Sequence, residues 1–171
     1  MESTKIETER LVLVRPQANH LPAYTAYCAS DRSVFVGGPF DAVGAFEKFA
    51  IMAGHWTLRG NGRLVLIHRA SGNPIGHVGA LRLTLEEPPD LTWALWDGTC
   101  EGQGYAYEAA TAYLRHALRD PGFDRMLIRI AEHNRRSHRL AERLGARRDP
   151  SAPAPSWAPD MVTYDLRLPA N

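Results

Sequence analysis

The stretch that most restricts the fold is Glu101-Gly102-Gln103-Gly104-Tyr105-Ala106, because of what stands on either side of it. Upstream, Leu91-Thr92-Trp93-Ala94-Leu95-Trp96 is an apolar, aromatic run of strand length, bounded by Pro88-Pro89-Asp90 and by Asp97-Gly98. Downstream, Tyr105, Ala106, Ala109, Ala110, Tyr113, Leu114, Ala117 and Leu118 recur at helical spacing as far as Asp120-Pro121-Gly122. Strand, small-residue turn and helix in that order leave free backbone N–H groups at the positive end of the helix dipole, which suits an anionic phosphate. Gly102 and Gly104 let the backbone come close to such a group. A G-x-G pair is also an ordinary strand-to-helix turn, so the rest of the chain has to carry the phosphate reading.

After that helix, Met126-Leu127-Ile128-Arg129-Ile130 reads as a buried strand. A second helix begins near Asn134, with Leu140, Ala141 and Leu144 facing inward and Gly145 as its stop. Toward the N-terminus, residues 10–16 form a first strand, residues 20–30 a short helix with Pro22 in its first turn, and residues 31–40 a Gly-Pro loop. Asp41 caps a further helix in which Val43, Phe46, Phe49, Ala50 and Ala53 have the helical period, and Gly54 ends it or marks its frayed last turn. Residues 63–69 and 74–85 are strands joined by the turn Ala70-Ser71-Gly72-Asn73, and residues 161–168 are the last strand. Residues 150–159, rich in proline, are an extended loop. The order β-α-α-β-β-β-α-β-α-β-β is a mixed α/β fold, with antiparallel hairpins early and a crossover helix late.

A length of 171 residues with 44% hydrophobic side chains fits one globular domain over residues 1–171. With 20 basic against 19 acidic side chains and a net charge of +1, the surface as a whole is not built to attract nucleic acid or a membrane. Cys28 and Cys100 make neither a disulfide framework nor a zinc spacing, so no metal is expected. Residues 1–5 lack the apolar core of a signal peptide, and no stretch approaches the roughly 20 apolar residues of a membrane span. A cytoplasmic protein is expected.

The element order, with the glycine turn after the fourth strand and Asn134-x-x-Ser137 opening the helix after the fifth, resembles the GNAT N-acetyltransferases, specifically their RimJ/RimL-like branch. Thr8-Glu9-Arg10-Leu11-Val12-Leu13 is similar to that branch's opening strand. Gly37-Gly38-Pro39, Gly54-His55-Trp56 and Ile75-Gly76-His77-Val78-Gly79 resemble its next landmarks, and Ala141-Glu142-Arg143-Leu144-Gly145 its final helix. The resemblance runs nearly end to end. It implies a single GNAT-like domain with a central, mostly antiparallel twisted sheet of about seven strands, splayed between strands four and five and flanked by about four helices.

The resemblance also implies acetyl-CoA as donor and a primary amine, a protein N-terminal α-amine or a small molecule, as acceptor. Gly102, Gln103, Gly104, Tyr105, Ala106 and Tyr107 would hold the diphosphate, and the parted edge at Trp93, Ala94, Leu95 and Trp96 would pair with the pantetheine arm like an added strand. Asn134 would bond the arm near the sulfur, and Ser137 would sit beside the leaving thiolate. Glu101 departs from the family pattern, since a carboxylate beside a diphosphate is repelled unless it points away. Ala141 stands where many relatives carry a tyrosine that protonates the thiolate.

Several of these residues read two ways. Asp90 is a carboxylate facing the acceptor groove or a solvated turn residue after two prolines. Ser137 is a donor to the thiolate or one half of a helix cap with Asn134. His55 is an acceptor contact or a packed helix-end residue; Phe35, Trp56 and Trp157 are candidate walls of the acceptor site. His77 titrates in the useful range but lies between glycines in a strand, and Cys100 lacks a histidine partner in any nucleophile motif. Arg135, Arg136, Arg139, Arg143, Arg147 and Arg148 form a solvated basic face that also offers contacts to CoA phosphates. Two rival readings stay open: a non-catalytic acyl-CoA-binding module, and an RNA-associated protein using the arginine helix, which the near-neutral charge disfavours. Strand edges near the C-terminus leave room for a homodimer.

Overall fold

In the computed structural model, which describes residues 4–120, 123–154 and 159–169, eight strands form one sheet. They are β1 (Lys5–Glu7), β2 (Leu11–Val14), β3 (Arg63–His68), β4 (Pro74–Leu81), β5 (Asp90–Leu95), β6 (Arg125–Ala131), β7 (Arg147–Arg148) and β8 (Met161–Arg167). The helices are α1 (Leu21–Ala29), α2 (Ala42–Arg59), α3 (Tyr105–Ala117) and α4 (Arg135–Arg143), with short 3-10 turns before α1, after it and after β5. The sheet order is β1-β2-β3-β4-β5-β6-β8-β7, antiparallel throughout except between β5 and β6. Of the strands at the two sheet edges, β1 is an addition to the sequence reading and β7 is the strand that the element order has, unplaced, after the last helix; both are too brief for an alternating pattern to show.

Alternation along β3 shows how the sheet divides the core. Leu64 and Leu66 pack on one face with Ala109, Ala110, Tyr113 and Ala117 of α3, while Val65 packs on the other with Tyr24, Tyr27 and Cys28 of α1 and Phe49 and Met52 of α2. Each fully buried large apolar side chain contributes about 1.5–3 kcal/mol. The α3 face and the α1/α2 face are therefore two cores divided by the sheet, and α2 contributes to both, with Phe49 and Met52 in one and Trp56 in the other.

Helix α2 corrects two expectations. Gly54 neither ends nor frays it; the helix runs on to Arg59 and stops at Gly60, whose φ of 74° is the left-handed cap that glycine supplies. The buried positions are Ala45, Phe49, Met52, His55 and Trp56, whereas Val43 and Phe46 are 65% and 59% exposed. Two apolar stripes share this helix, and periodicity alone does not rank them. What selects the buried one is the far end, where Trp56 packs in the core and its indole N–H donates to the Arg63 carbonyl at 2.8 Å.

The feature that positions the site is the parting of β5 from β6. They pair at one register position, Asp90 with Leu127, where the Leu127 N–H reaches the Pro89 carbonyl at 3.0 Å. Beyond it, β5 stays laddered to β4 and β6 to β8, so each spends its hydrogen bonds on its outer neighbour and a split opens between them. Helix α3 ends at Ala117, and Pro121 and Gly122 of the expected stop lie outside the described residues.

Candidate active site

The turn after β5 has the conformation the glycines allow: Gly102 and Gly104 sit at φ 74° and 84°, and Gly104 is the residue before the first turn of α3. Glu101 N–H bonds the Gly98 carbonyl and Glu108 N–H bonds the Gly104 carbonyl. Between them, among the described residues, the N–H groups of residues 102–107 take no backbone acceptor, which is the open helix end an anion needs. Arg10 fixes the turn's orientation. Its guanidinium donates to the Gln103 carbonyl at 2.9 Å and to Glu108 at 2.7 Å, and lies 4.4 Å from the centre of the Tyr105 ring. In a trans peptide the carbonyl and the next N–H point opposite ways, so holding the Gln103 carbonyl aims the Gly104 N–H away from Arg10. Tyr105 is buried with its hydroxyl 3.1 Å from His68, Ala106 lies in the half-buried first turn, and Tyr107 lies under the Arg143 guanidinium of α4.

Glu101, the departure from the family pattern, is neutralised where it stands. One carboxylate oxygen lies 2.9 Å from Arg32 and the other pairs with Arg136. Arg32 also donates to the Leu95 carbonyl at 2.8 Å, so one side chain ties the end of β5 to the glycine turn.

Along β5, the Trp96 N–H donates to Ile75 of the strand beyond, and the register with β4 is continuous from Gly76 with Leu95 to Leu81 with Asp90. Antiparallel alternation then turns the N–H groups of Trp93 and Leu95 toward the split, and those of Ala94 and Trp96 toward β4. The indole of Trp96 packs in the α1/α2 core and bonds His77 at 2.9 Å. Across the split, the Trp93 indole N–H meets Ser137 Oγ at 3.2 Å. Asn134 caps α4 by accepting from the Ser137 N–H at 3.2 Å, which leaves its amide nitrogen free. The helix-cap role and the position beside the split thus coexist in one turn. Trp93 and α4 thus lie on the α3 side of the parted strands, which leaves the α1/α2 face as the other side of the split.

Asp90 lies at the closed end of the split. It is not a solvated turn residue: its side chain is 14% exposed and one oxygen lies 2.6 Å from Arg129, whose other nitrogen holds Glu87 at 2.9 Å. Burial pushes its carboxyl up to about 6 against the opposing pull of Arg129, and its second oxygen is buried without a partner. A carboxylate with one oxygen anchored and the other unclaimed is equipped to accept a proton. Arg129 escaped the sequence reading, although a lone arginine inside an apolar strand was its signal.

His55 and Trp56, the expected acceptor contacts, both bond backbone groups. His55 uses both ring nitrogens on backbone, at 2.6 Å to the Asn61 carbonyl and 2.9 Å from the Arg82 N–H, and Trp56 is spent on Arg63. Phe35, 41% exposed in the turn after α1, stays available, and Trp157 lies outside the described residues. Cys28 and Cys100 are both buried, with thiols pushed up by burial. Among the described residues there is no group of three or more potential metal-ligating side chains, and no helix is long and apolar enough to cross a membrane.

Comparison with known proteins places this geometry. Residues 10–147 match the family model of the acetyltransferase (GNAT) domain. An acetyltransferase from Agrobacterium tumefaciens is 32% identical, with a TM-score of 0.87 over 98% of this chain and 96% of that one. Two more distant structures share the fold. RimL, a ribosomal α-N-protein acetyltransferase in complex with coenzyme A, is 16% identical at a TM-score of 0.79 over 98% of this chain and 100% of that one. MccE, a self-immunity acetyltransferase in complex with acetyl-CoA and AMP, is 12% identical at a TM-score of 0.77 over 94% of each chain. Among curated proteins, none matches the chain.

Proposed function

The chain belongs to the GNAT acetyltransferases, and on that premise we propose that it transfers an acetyl group from acetyl-CoA to a primary amine by direct attack within a ternary complex, in the cytoplasm. The observation that carries this reading is the adjacency of the open N–H turn at residues 102–107 to the split between β5 and β6. The turn suits a diphosphate and the split suits an extended amide-bearing arm. The neighbours complexed with coenzyme A and acetyl-CoA support the same ligand.

Acetyl-CoA supplies an electrophilic thioester carbonyl and a thiolate leaving group. The residues of this chain supply the rest. The Trp93 and Leu95 N–H groups face the place where a carbonyl oxygen would gain charge as the C–N bond forms. Ser137 Oγ offers a hydrogen bond near the departing sulfur, though its high pKa makes it a donor more than an acid. Asp90 takes the amine's proton, directly or through water, because its ordinary state near neutrality is ionised. A lysine-like amine costs about 4 kcal/mol to deprotonate at pH 7, an α-amine about 1. A single modestly basic carboxylate therefore favours α-amines or similar weak bases.

The test is thiol release from acetyl-CoA by the full-length protein with α-amine peptides and small amines. Amine-dependent release supports the reading; acetyl-CoA binding with no release from any amine would favour the non-catalytic alternative.

A further inference from the structure

The α1/α2 face of the sheet, the side of the split opposite α4, carries an arginine whose guanidinium has no partner among the described residues. Arg63 opens β3 and shares a face with Val65, since Leu64 and Leu66 pack on the opposite one. In register it stands beside Gly79, beyond which comes Thr92 of β5, and one row along stand His77 and Ala94. Two strand spacings, roughly 10 Å, separate the Arg63 backbone from β5, a gap that one small bifunctional molecule can bridge.

Among the described residues, Arg63 is the sole half-buried arginine whose guanidinium makes no hydrogen bond, ion pair or ring contact; its backbone carbonyl takes the Trp56 indole proton. The groups close enough to feel its charge are Tyr24 and Tyr27 of α1 and His77 of β4, none of them a carboxylate. Asp90, the acidic side chain of β5 on this face, is spent on Arg129. His77 accepts the Trp96 indole hydrogen bond on Nδ1, so its own proton sits on Nε2, which has no acceptor among the described residues. Burial, with Arg63 adding to it, keeps that imidazole neutral and a donor. The Tyr27 hydroxyl, on a ring 5.9 Å from that of Tyr24, likewise makes no hydrogen bond among the described residues. Tyr24 in turn stands 6.2 Å from the His77 ring, so the phenols and the imidazole share one neighbourhood. A partly desolvated guanidinium lowers stability unless something compensates it, and here the surroundings offer neutral phenols and an imidazole but no anion.

We infer that the acceptor carries an oxyanion, a carboxylate or a phosphate, near its amine, and that Arg63, His77 and Tyr27 bind it. This rests on the acetyl-transfer reading above and narrows it from amines in general to anionic amines. Guanidinium and neutral donors together are the usual recognition set for such groups, and bound there the oxyanion would hold the amine toward Trp93 and Leu95.

The experiment has two arms on the full chain. In the first, CoA is kept saturating so that the glycine turn is filled, and phosphate and acetate are titrated separately by calorimetry into wild type, Arg63→Gln and Arg63→Lys. At least one anion should bind the wild type, at least about tenfold more weakly to the glutamine variant, and the stronger of the two distinguishes phosphate from carboxylate. Absence of binding by both anions, or equal binding by all three proteins, overturns the inference. Without anion, Arg63→Gln should melt at the same temperature or higher, since an unpaired charge is removed; a clear fall would mean that Arg63 serves the fold and would also overturn it. In the second arm, serine, O-phosphoserine and serinamide are compared as acceptors. An anionic acceptor should exceed the amide by about tenfold or more in kcat/KM, with the advantage lost through KM in Arg63→Gln. Acetylation of all three at equal rates would refute the anion site and leave acetyl transfer standing, whereas failure of acetyl-CoA itself to bind would sink the transfer reading and leave the anion titration to judge Arg63.

Discussion

The indole N–H of Trp93 on β5 donates to Ser137 Oγ on α4 at 3.2 Å, the contact that crosses the split where β5 and β6 part. It joins the strand that would pair with the pantetheine arm to the helix that would meet the leaving sulfur. Ser137→Ala should lower kcat by roughly five- to tenfold, the worth of one hydrogen bond, and leave acetyl-CoA affinity within about twofold. Steady-state kinetics with calorimetry decides it: a fall beyond about a thousandfold would make Ser137 a true acid, and no change would reduce it to a helix cap.

Asp90 gives the pH dependence. Burial raises its carboxyl to about 6, against the pull of Arg129, from about 3.9 in the unfolded chain. A carboxyl raised on folding contributes stability that is fully present below about 3.9 and lost as pH rises through about 6. Proton acceptance needs the opposite state, so kcat/KM should fall on the acid side with a limb near 6. Asp90→Asn should abolish that limb and cost about a hundredfold in rate. Arg129→Met, which leaves the buried carboxylate unpaired, should destabilise the fold by about 3 kcal/mol at pH 8 and by less at pH 5, where Asp90 takes up a proton. Denaturant titrations at the two pH values check the second point, and a penalty independent of pH would contradict it.

Glu101 is held between Arg32 and Arg136. Glu101→Gln removes a negative charge beside the diphosphate turn and releases the exposed Arg136. Acetyl-CoA should bind about three- to tenfold more tightly at low salt, with the gain shrinking at high salt. Weaker binding in the variant would show that the Arg32–Glu101–Arg136 clasp shapes the turn more than its charge opposes the ligand.

The parts of this molecule legible in the sequence are those written locally. Strand, glycine turn and helix follow one another from residue 91 to residue 118, so composition and periodicity suffice to place them, and the observed Gly102 and Gly104 conformations are the ones only glycine adopts easily. The α2 stripe was misplaced because two apolar faces share that helix, and the choice between them is made by a bond from Trp56 to a strand that follows the helix. At His55 a sequence shows an imidazole without showing that two backbone groups bond it. The pairing of Asp90 with Arg129 and the anchoring of the Gln103 carbonyl by Arg10 join residues far apart in the chain. Single-sequence pattern carries no information on such long-range partners, beyond the oddity of a charged residue in an apolar run.

The most direct measurement is calorimetric binding of acetyl-CoA to the wild type, to Gly104→Ala and to Gly104→Glu. A Cβ at Gly104 would meet only Arg10, at 3.5 Å, so space is not the obstacle, but at φ 84° any side chain costs about 1–2 kcal/mol of backbone strain. The account predicts wild-type binding on the order of micromolar, a modest loss for alanine, and a loss of more than about a hundredfold for glutamate, whose charge would stand against the diphosphate. No binding to the wild type, or equal binding to the wild type and the glutamate variant, would contradict it.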